Sequence, residues 1–581
     1  MKSQVVILKE RIQAARGEIP ADLVLKKGRV VNVFAGTVQE RDVALHGGWI
    51  VGLGKAYHGK IEEDVSGKWV VPGLIDGHLH IESSMLLPSR LAQALIPHGT
   101  TAIVSDPHEI ANVMGVEGIR FLIKDSEAIP MDVFFMAPSC VPATHLETSG
   151  ATITLSDLED LKQEPRILGL AEMMNYPGVL MGDPQVLEKV VLFGDKVIDG
   201  HAPALTGRDL QAYVSAGIGS DHETADPAEA LEKLESGMLV MIREGSGAKN
   251  LDTLLPLVNE RNARRFCFVC DDLHPRDLLT QGHIDHMIRR AIQKGLDPVT
   301  AVQLGTLNPA EHFGLKRRGA VAPGYQADLV ILGDLEAFAI EQVFKQGCAV
   351  FDQGGLKGFP SNEDRSIPHW PFRVAPVVPG SFRIPQQGPL ARVIQVIPGQ
   401  ILTRMLVEPV ASRDGWVSTD TDRDILKLAV VERHHGSGAI GLGLVKGFGL
   451  KAGALASSVA HDSHNIIAVG VEDRALCTAV NEVCRMGGGM VAVREDQVLA
   501  RTALPVAGLI SLDTLENLAH QLEDLNVAAG SLGCALTDPF MALSFLALPV
   551  IPELKLTDMG LVDVRRFARV PLFPDHGEAL P

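Results

Sequence analysis

A chain of 581 residues, 46% of them hydrophobic, is too long for a single core and too apolar to be disordered, so about two to four packed domains are expected. The formal net charge of −18, with no basic stripe, argues against a nucleic-acid partner. Seven cysteines without regular spacing exclude a disulfide framework and fit a reduced, cytoplasmic setting.

The first 18 residues carry Lys2, Lys9, Glu10 and Arg11 and no apolar core, so no signal peptide is expected. No apolar run reaches membrane-spanning length, so no membrane partner is expected either. Helical spacing over 5–19 gives way to short β-rich pieces. Those at 21–25 and 28–33 are separated by a Lys26-Lys27-Gly28 turn, and those at 42–45 and 49–53 by Gly47-Gly48. Residues 1–70 are therefore read as a small sheet domain.

An apolar run, 69–75, reads as a buried strand leading to His78 and His80, which the two-residue period of a strand turns to one face. From there a pattern of strand, polar tip and helix repeats. The second strand, 100–105, is tipped by Asp106, His108 and Glu109; the third, 133–137, by Ser139 and Cys140; the fourth, 167–171, by Glu172. The fifth, 197–200, is tipped by His201; the sixth, 216–219, by Asp221, His222 and Glu223. The seventh, 238–242, is tipped by Arg243 and Glu244, and the eighth, 266–270, by Asp271 and Asp272. Helical stretches at 209–215, 227–234, 251–259 and 284–294 lie between them, and a solvated face is expected for Asp285 and His286. The pattern predicts an α/β fold, a (β/α)8 TIM-like barrel over 71–315, with its active site at the carboxyl ends of the strands. Cys267 and Cys270 alternate with apolar residues and are read as buried strand cysteines.

Beyond the barrel, 297–313 is read as one helix, and 319–332 returns to strands and turns. Residues 316–375 are expected to rejoin the small sheet domain. A linker is read from Pro360, Pro368, Pro371, Pro376, Pro379 and Pro385. Residues 390–581 form a third, glycine-rich region of mixed α and β. Its Gly441-Leu442-Gly443 and Gly487-Gly488-Gly489 match neither dinucleotide nor phosphate-loop spacing, and both are read as tight turns.

Taken together, the strand tips place His78, His80, Glu172, His201, His222 and Asp271 at one barrel mouth. Four imidazoles and two carboxylates suffice for two divalent metals, with Glu172 able to bridge, at a separation of roughly 3.5–4 Å. Any one histidine alone could be a satisfied loop residue; the set carries the argument.

The run from Pro72 to Glu82 (PGLIDGHLHIE), the later histidines at strands five and six and Asp271 at strand eight resemble the amidohydrolase superfamily. The tips Glu82-Ser83-Ser84, Asp106-Pro107-His108-Glu109, Asp221-His222-Glu223, Arg243-Glu244-Gly245-Ser246 and Asp271-Asp272, with His461-Asp462-Ser463-His464-Asn465 further on, are similar to the bacterial adenine deaminases within it. The resemblance covers essentially the whole chain. It implies an amidohydrolase-type barrel with a small flanking sheet domain and an extra C-terminal domain. It also implies hydrolytic deamination of adenine to hypoxanthine and ammonia by metal-bound hydroxide, as in purine salvage. Two divalent ions are implied, Mn or Fe(II) being favoured and Zn allowed. Asp271 would move the nucleophile's proton to the departing amine. A carboxylic acid must protonate ring nitrogen N1, and Glu82, Glu109, Glu223 and Glu244 all stand as candidates, each equally readable as a partner orienting a ligand histidine. Asp106 and His108, with Glu109 and Glu244, are candidates for holding the purine, and the first two for a further metal or for ordering their own loop. His434, His435, His461, Asp462 and His464 are read as either a lid over the mouth or a self-satisfied domain interface. A homo-oligomer, most simply a dimer, is expected.

Three other readings compete with this one. A dihydroorotase- or hydantoinase-like cyclic-amide hydrolase would bring a lysine on strand four, where Glu172 stands. A non-catalytic barrel scaffold would lack ligands. A cytidine-deaminase-type zinc site would need a proline before its first cysteine, where Cys267 follows Phe266.

Overall fold

The structure is a computed structural model and describes residues 3–359, 370 and 372–574. Pro360, Pro368 and Pro371 of the expected linker lie outside the described residues; Pro379 opens a short 3-10 turn, Pro379–Phe382.

The N-terminal sheet forms as expected but with two changes. Residues 21–33 are one strand, Ala21–Asn32, whose pairing shifts between Leu25 and Gly28. Lys26 and Lys27 therefore sit at a bulge instead of a reversing turn, with Lys27 at φ 57°. The apolar run at 69–75 is divided at Gly73. Trp69–Pro72 pairs with Ala21–Asn32 and with the returning strand Leu329–Asp334, so it belongs to the small sheet. Leu74–Leu79 alone opens the barrel. Both halves are buried and apolar, which is why the run reads as continuous. The returning chain completes this sheet with Ala339–Lys345 and Cys348–Asp352.

The barrel is built from eight parallel strands in two arcs. Leu74–Leu79, Thr100–Ser105, Asp132–Ala137, Ile167–Met173 and Val197–Gly200 pair in sequence order. Ser220–Asp221, Leu239–Arg243 and Phe266–Val269 form the second arc. The arcs close where Asp271 N–H donates to His78 O (2.9 Å) and His80 N–H to Asp271 O (3.2 Å). On the other side Gly219 N–H donates to Ile198 O at 3.0 Å. The sixth strand, Ser220–Asp221, lies later than expected, because Ala216 and Gly217 form the turn that ends helix Gly207–Ser215. The inward positions Ile75, Ala102, Val104, Met136, Ala171, Leu239, Met241, Cys267 and Val269 fill the interior, plugged by Ala310, Phe313 and Leu315. Both strand cysteines are buried and free.

Two helical expectations change. The stretch 297–313 is two helices, Pro298–Leu304 and Leu307–His312. Asp285 is buried, not solvated; it accepts from His283 N–H at 2.7 Å and pairs with His98 and Arg289.

The C-terminal region forms an eight-stranded sheet covered on one side by helix Asp473–Met486. That helix buries Ala475, Leu476, Ala479, Val480 and Val483 against the sheet, a helical-period stripe. It ends at Gly487 (φ 72°), as the tight-turn reading of the glycine triplet requires. The other glycine pair is not a turn. Gly441 and Gly443 lie inside strand Ile440–Lys446, and a Cβ on Gly441 would stand 1.8 Å from Thr557 O. Backbone approach, not chain reversal, demands glycine there. The loop 458–465, between strands Ala454–Ser457 and Ile466–Gly470, descends onto the barrel mouth. No helix among the described residues is long and apolar enough to cross a membrane.

Candidate active site

At the carboxyl ends of the barrel strands, Glu172 stands between two pairs of imidazoles. Its Oε1 is 3.4 Å from His80 Nε2 and 3.9 Å from His78 Nε2. Its Oε2 is 2.6 Å from His201 Nδ1 and 3.2 Å from His222 Nε2. Asp271 closes the first pair, with Oδ1 3.4 Å from His78 Nε2 and 3.1 Å from His80 Nε2. All but His201 are buried, and His201 is half-buried. The six residues converge as one cluster.

The chemistry of this donor set fits divalent cations. His80 Nδ1 bonds the carbonyl of Asp106 (3.0 Å), so Nδ1 carries the proton and the Nε2 lone pair faces Glu172 and Asp271. His78 Nε2 is buried without a hydrogen-bond partner. Lone pairs meeting carboxylate oxygens in a buried site call for positive charge between them, and imidazole with carboxylate is a donor set for first-row divalent ions.

Asp271 sits at φ 59°, which turns its carboxylate back over the mouth. Its Oδ2 accepts from Arg243 Nη1 at 2.7 Å. The same guanidinium grips Glu223 through Nη1–Oε1 and Nη2–Oε2, the latter 3.0 Å. Burial raises both carboxyls, but Arg243 outweighs it and holds them below the ordinary range. Glu223, a candidate acid by sequence, is thus a committed anion. In the sequence Arg243 stands only as a strand tip beside the candidate acid Glu244, and nothing there marks it as the partner of Glu223 and Asp271. Glu244 itself turns the other way: its carboxylate lies 3.8 Å from Lys249 Nζ and is not among the groups lining the cavity described next. Arg243→Met would remove the cation shared by buried Asp271 and partly buried Glu223, leaving only imidazoles beside them. It is expected to destabilise the metal-free protein by about 3–5 kcal/mol, read from its chemical denaturation midpoint.

A cavity of about 720 Å³ opens between this mouth and the C-terminal region, with Glu82, Ser83, Glu109, His461 and His464 on its wall. Glu82 Oε1 accepts from Ile110 N–H at 2.9 Å, while Oε2 has no partner. Burial pushes its carboxyl up to about 7. Asp106 accepts from His108 N–H (3.1 Å), ordering its own loop, and His108 Nδ1 stands 3.6 Å from Glu172 Oε1, beside His80. Glu109 is gripped from above: His461 Nδ1 lies 2.5 Å from Oε1, and His464 Nε2 bonds Oε2. Because His464 Nδ1 accepts from Ala460 N–H at 3.2 Å, its proton must sit on Nε2 and point at Glu109. Burial opposes charge on His461, yet Glu109 raises it to about 9; burial carries His464 down to about 4. Without a metal the cluster is therefore an ion pair with a neutral second arm. Of the C-terminal histidines, His461 and His464 form the roof of the mouth, and Phe545 stacks on His461 at 4.5 Å between ring centroids. His434 and His435 instead bond Ser463 O (2.7 Å) and Ser149 O (3.1 Å) at the contact between regions. His461 and His464 thus lie over the mouth, whereas His434 and His435 bond backbone carbonyls and not one another, and Asp462 Oδ2 is buried without a hydrogen-bond partner.

The Amidohydrolase family matches residues 69–350, and the Adenine deaminase C-terminal domain matches residues 400–568. An adenine deaminase of Desulfatibacillum aliphaticivorans is 52% identical over 565 residues, 97% of this chain and 99% of its own. One of Methanothrix thermoacetophila is 50% identical over 570 residues, with coverage of 97% and 99%. Among solved structures, a β-aspartyl dipeptidase of Fervidobacterium islandicum AW-1 aligns with a TM-score of 0.46 at 16% identity, covering 59% of this chain and 100% of its own. Barrel, strand-end cluster and family match define a metal-dependent hydrolase of the amidohydrolase type. Within that class, over nearly its whole length, the chain belongs to the adenine deaminase family.

Proposed function

We infer that this enzyme hydrolyses the exocyclic amine of adenine, yielding hypoxanthine and ammonia. The relatives' names and the family match carry the reaction. The observation that carries the mechanism is Glu172, whose two oxygens face two separate imidazole pairs. We assign His78, His80 and Asp271 to one divalent ion, His201 and His222 to a second, and Glu172 to both. When bound, such ions supply a water activated for attack at neutral pH. The donors are imidazole and carboxylate without thiolate, which suits Mn(II) and Fe(II), our preferred pair, as well as Zn.

The chain's own groups then account for the proton movements. Attack on C6 requires a proton at N1, and we assign its delivery to Glu82, which has a free oxygen on the cavity wall and a carboxyl half-protonated near neutrality. Glu109 and Glu223 are poorer donors because His461 and Arg243 hold them anionic. We assign Asp271 to accept the water's proton and return it to the departing amine, with Arg243 Nη1 donating to its Oδ2. We assign Asp106, His108 and Glu109 to the wall that receives the purine. We propose a division into a small sheet domain, a barrel from Gly73 to about 315 and a C-terminal domain; the sheet pairing of the first runs to Leu356, whereas 372–375, expected there, pack on the C-terminal region, where Arg373 N–H donates to Arg433 O at 3.0 Å. The reaction is tested by following adenine and hypoxanthine in the ultraviolet with the purified enzyme. Adenine should be converted stoichiometrically, and dihydroorotate left untouched; hydrolysis of dihydroorotate alone would favour the cyclic-amide reading.

A further inference from the structure

Helix Pro227–Glu235 follows the sixth barrel strand and reads as an ordinary amphipathic surface helix. Lys233 does not behave as a surface residue. It is fully buried, and its ammonium is saturated by Ala202 O (2.8 Å), Asp221 Oδ2 (3.0 Å), Thr224 Oγ1 (3.0 Å) and Glu229 Oε1 (2.6 Å). Asp221 in turn accepts from Ala202 N–H through Oδ1 at 2.8 Å. Both backbone groups of Ala202 are therefore held by this pair, the N–H by the carboxylate and the carbonyl by the ammonium. Ala202 directly follows His201, and Asp221 directly precedes His222. The pair thus ties together the backbone beside the two imidazoles that meet at Glu172 Oε2. The first site is held by separate means: His78 and Asp271 are joined by strand pairing, and Asp76 Oδ1 accepts from His78 N–H (3.1 Å) and Cys270 N–H (3.3 Å), so Lys233 touches neither.

We propose that Lys233, acting through Asp221, is a positioning residue that sets the separation of His201 and His222 and so selectively maintains the second of the two metal pockets. The proposal rests on the binuclear assignment above. A buried ammonium suits the task because three fixed donors can lock two loops at once, and removing it leaves two buried carboxylates without their cation. Outer partners of metal ligands commonly change affinity by about 10–100-fold when lost.

The test is Mn(II) binding, measured as metal content against a graded series of chelator concentrations. Wild type should retain two equivalents. Lys233→Met should keep one at wild-type affinity and bind the other about 10–100-fold more weakly. Glu229→Gln, which leaves the Lys233–Asp221 pair in place, should retain both. Equal weakening of both equivalents in Lys233→Met, or two at wild-type affinity, overturns the proposal, as does selective loss in Glu229→Gln. If Lys233→Met does not fold, Asp221→Asn, which preserves shape, should show the same selective loss, and two unchanged equivalents there overturn the proposal. A wild-type protein that takes up fewer than two equivalents fails earlier, at the binuclear assignment itself.

Discussion

Asp271→Ala is expected to abolish adenine turnover while leaving the protein folded. The residue does three things at one point. Its Oδ1 faces His78 and His80, its Oδ2 receives Arg243, and its backbone closes strand eight onto strand one. Substitution by alanine keeps the backbone bonds, so the barrel should still close, but it removes the carboxylate proposed to hold a metal and to move the water's proton. General acid–base function alone accounts for about 10²–10⁴-fold, and loss of the donor adds to it. Near wild-type turnover in Asp271→Ala, with unchanged circular dichroism, would remove the residue from the mechanism.

Glu82→Gln is the second large effect, about 10²–10⁴-fold in turnover. Glutamine still accepts from Ile110 N–H, so the short 3-10 turn Ile81–Ser84 and the neighbouring His80 should keep their places. What is lost is a proton at the otherwise free Oε2. The effect should therefore fall on kcat, with metal content unchanged. A loss below about tenfold would contradict the assignment by that same measure and return the role to Glu109, despite its two imidazoles.

The strands were legible where an apolar run is bounded by a polar tip: 100–105 and 197–200 appear with their expected limits. They were not legible where two buried strands of different sheets abut, as at Gly73, since burial on both sides erases the alternation that would mark the join. The ligand histidines stood out because each ends a strand. The pairing of carboxylates did not, because it depends on contacts between distant residues. Glu109 meets His461 across 352 positions, and Arg243 chooses Glu223 over the adjacent Glu244 only once strands six and seven lie side by side. Lys233 was invisible for a different reason: within the helix expected over 227–234 nothing marks it, since an i,i+4 Glu–Lys spacing is common on helix surfaces, and only the loops folding over Glu229 and Lys233 make the pair an interior one.

The measurement that bears most directly on this account is ammonia release from adenine by metal-stripped enzyme re-supplied with Mn(II), Fe(II) or Zn(II), with adenosine and cytosine run alongside. No release from the stripped protein, and recovery with adenine once two equivalents of Mn(II) or Fe(II) are restored, is the expected result. Full activity in the stripped protein, or restored metal without release from adenine, would contradict it.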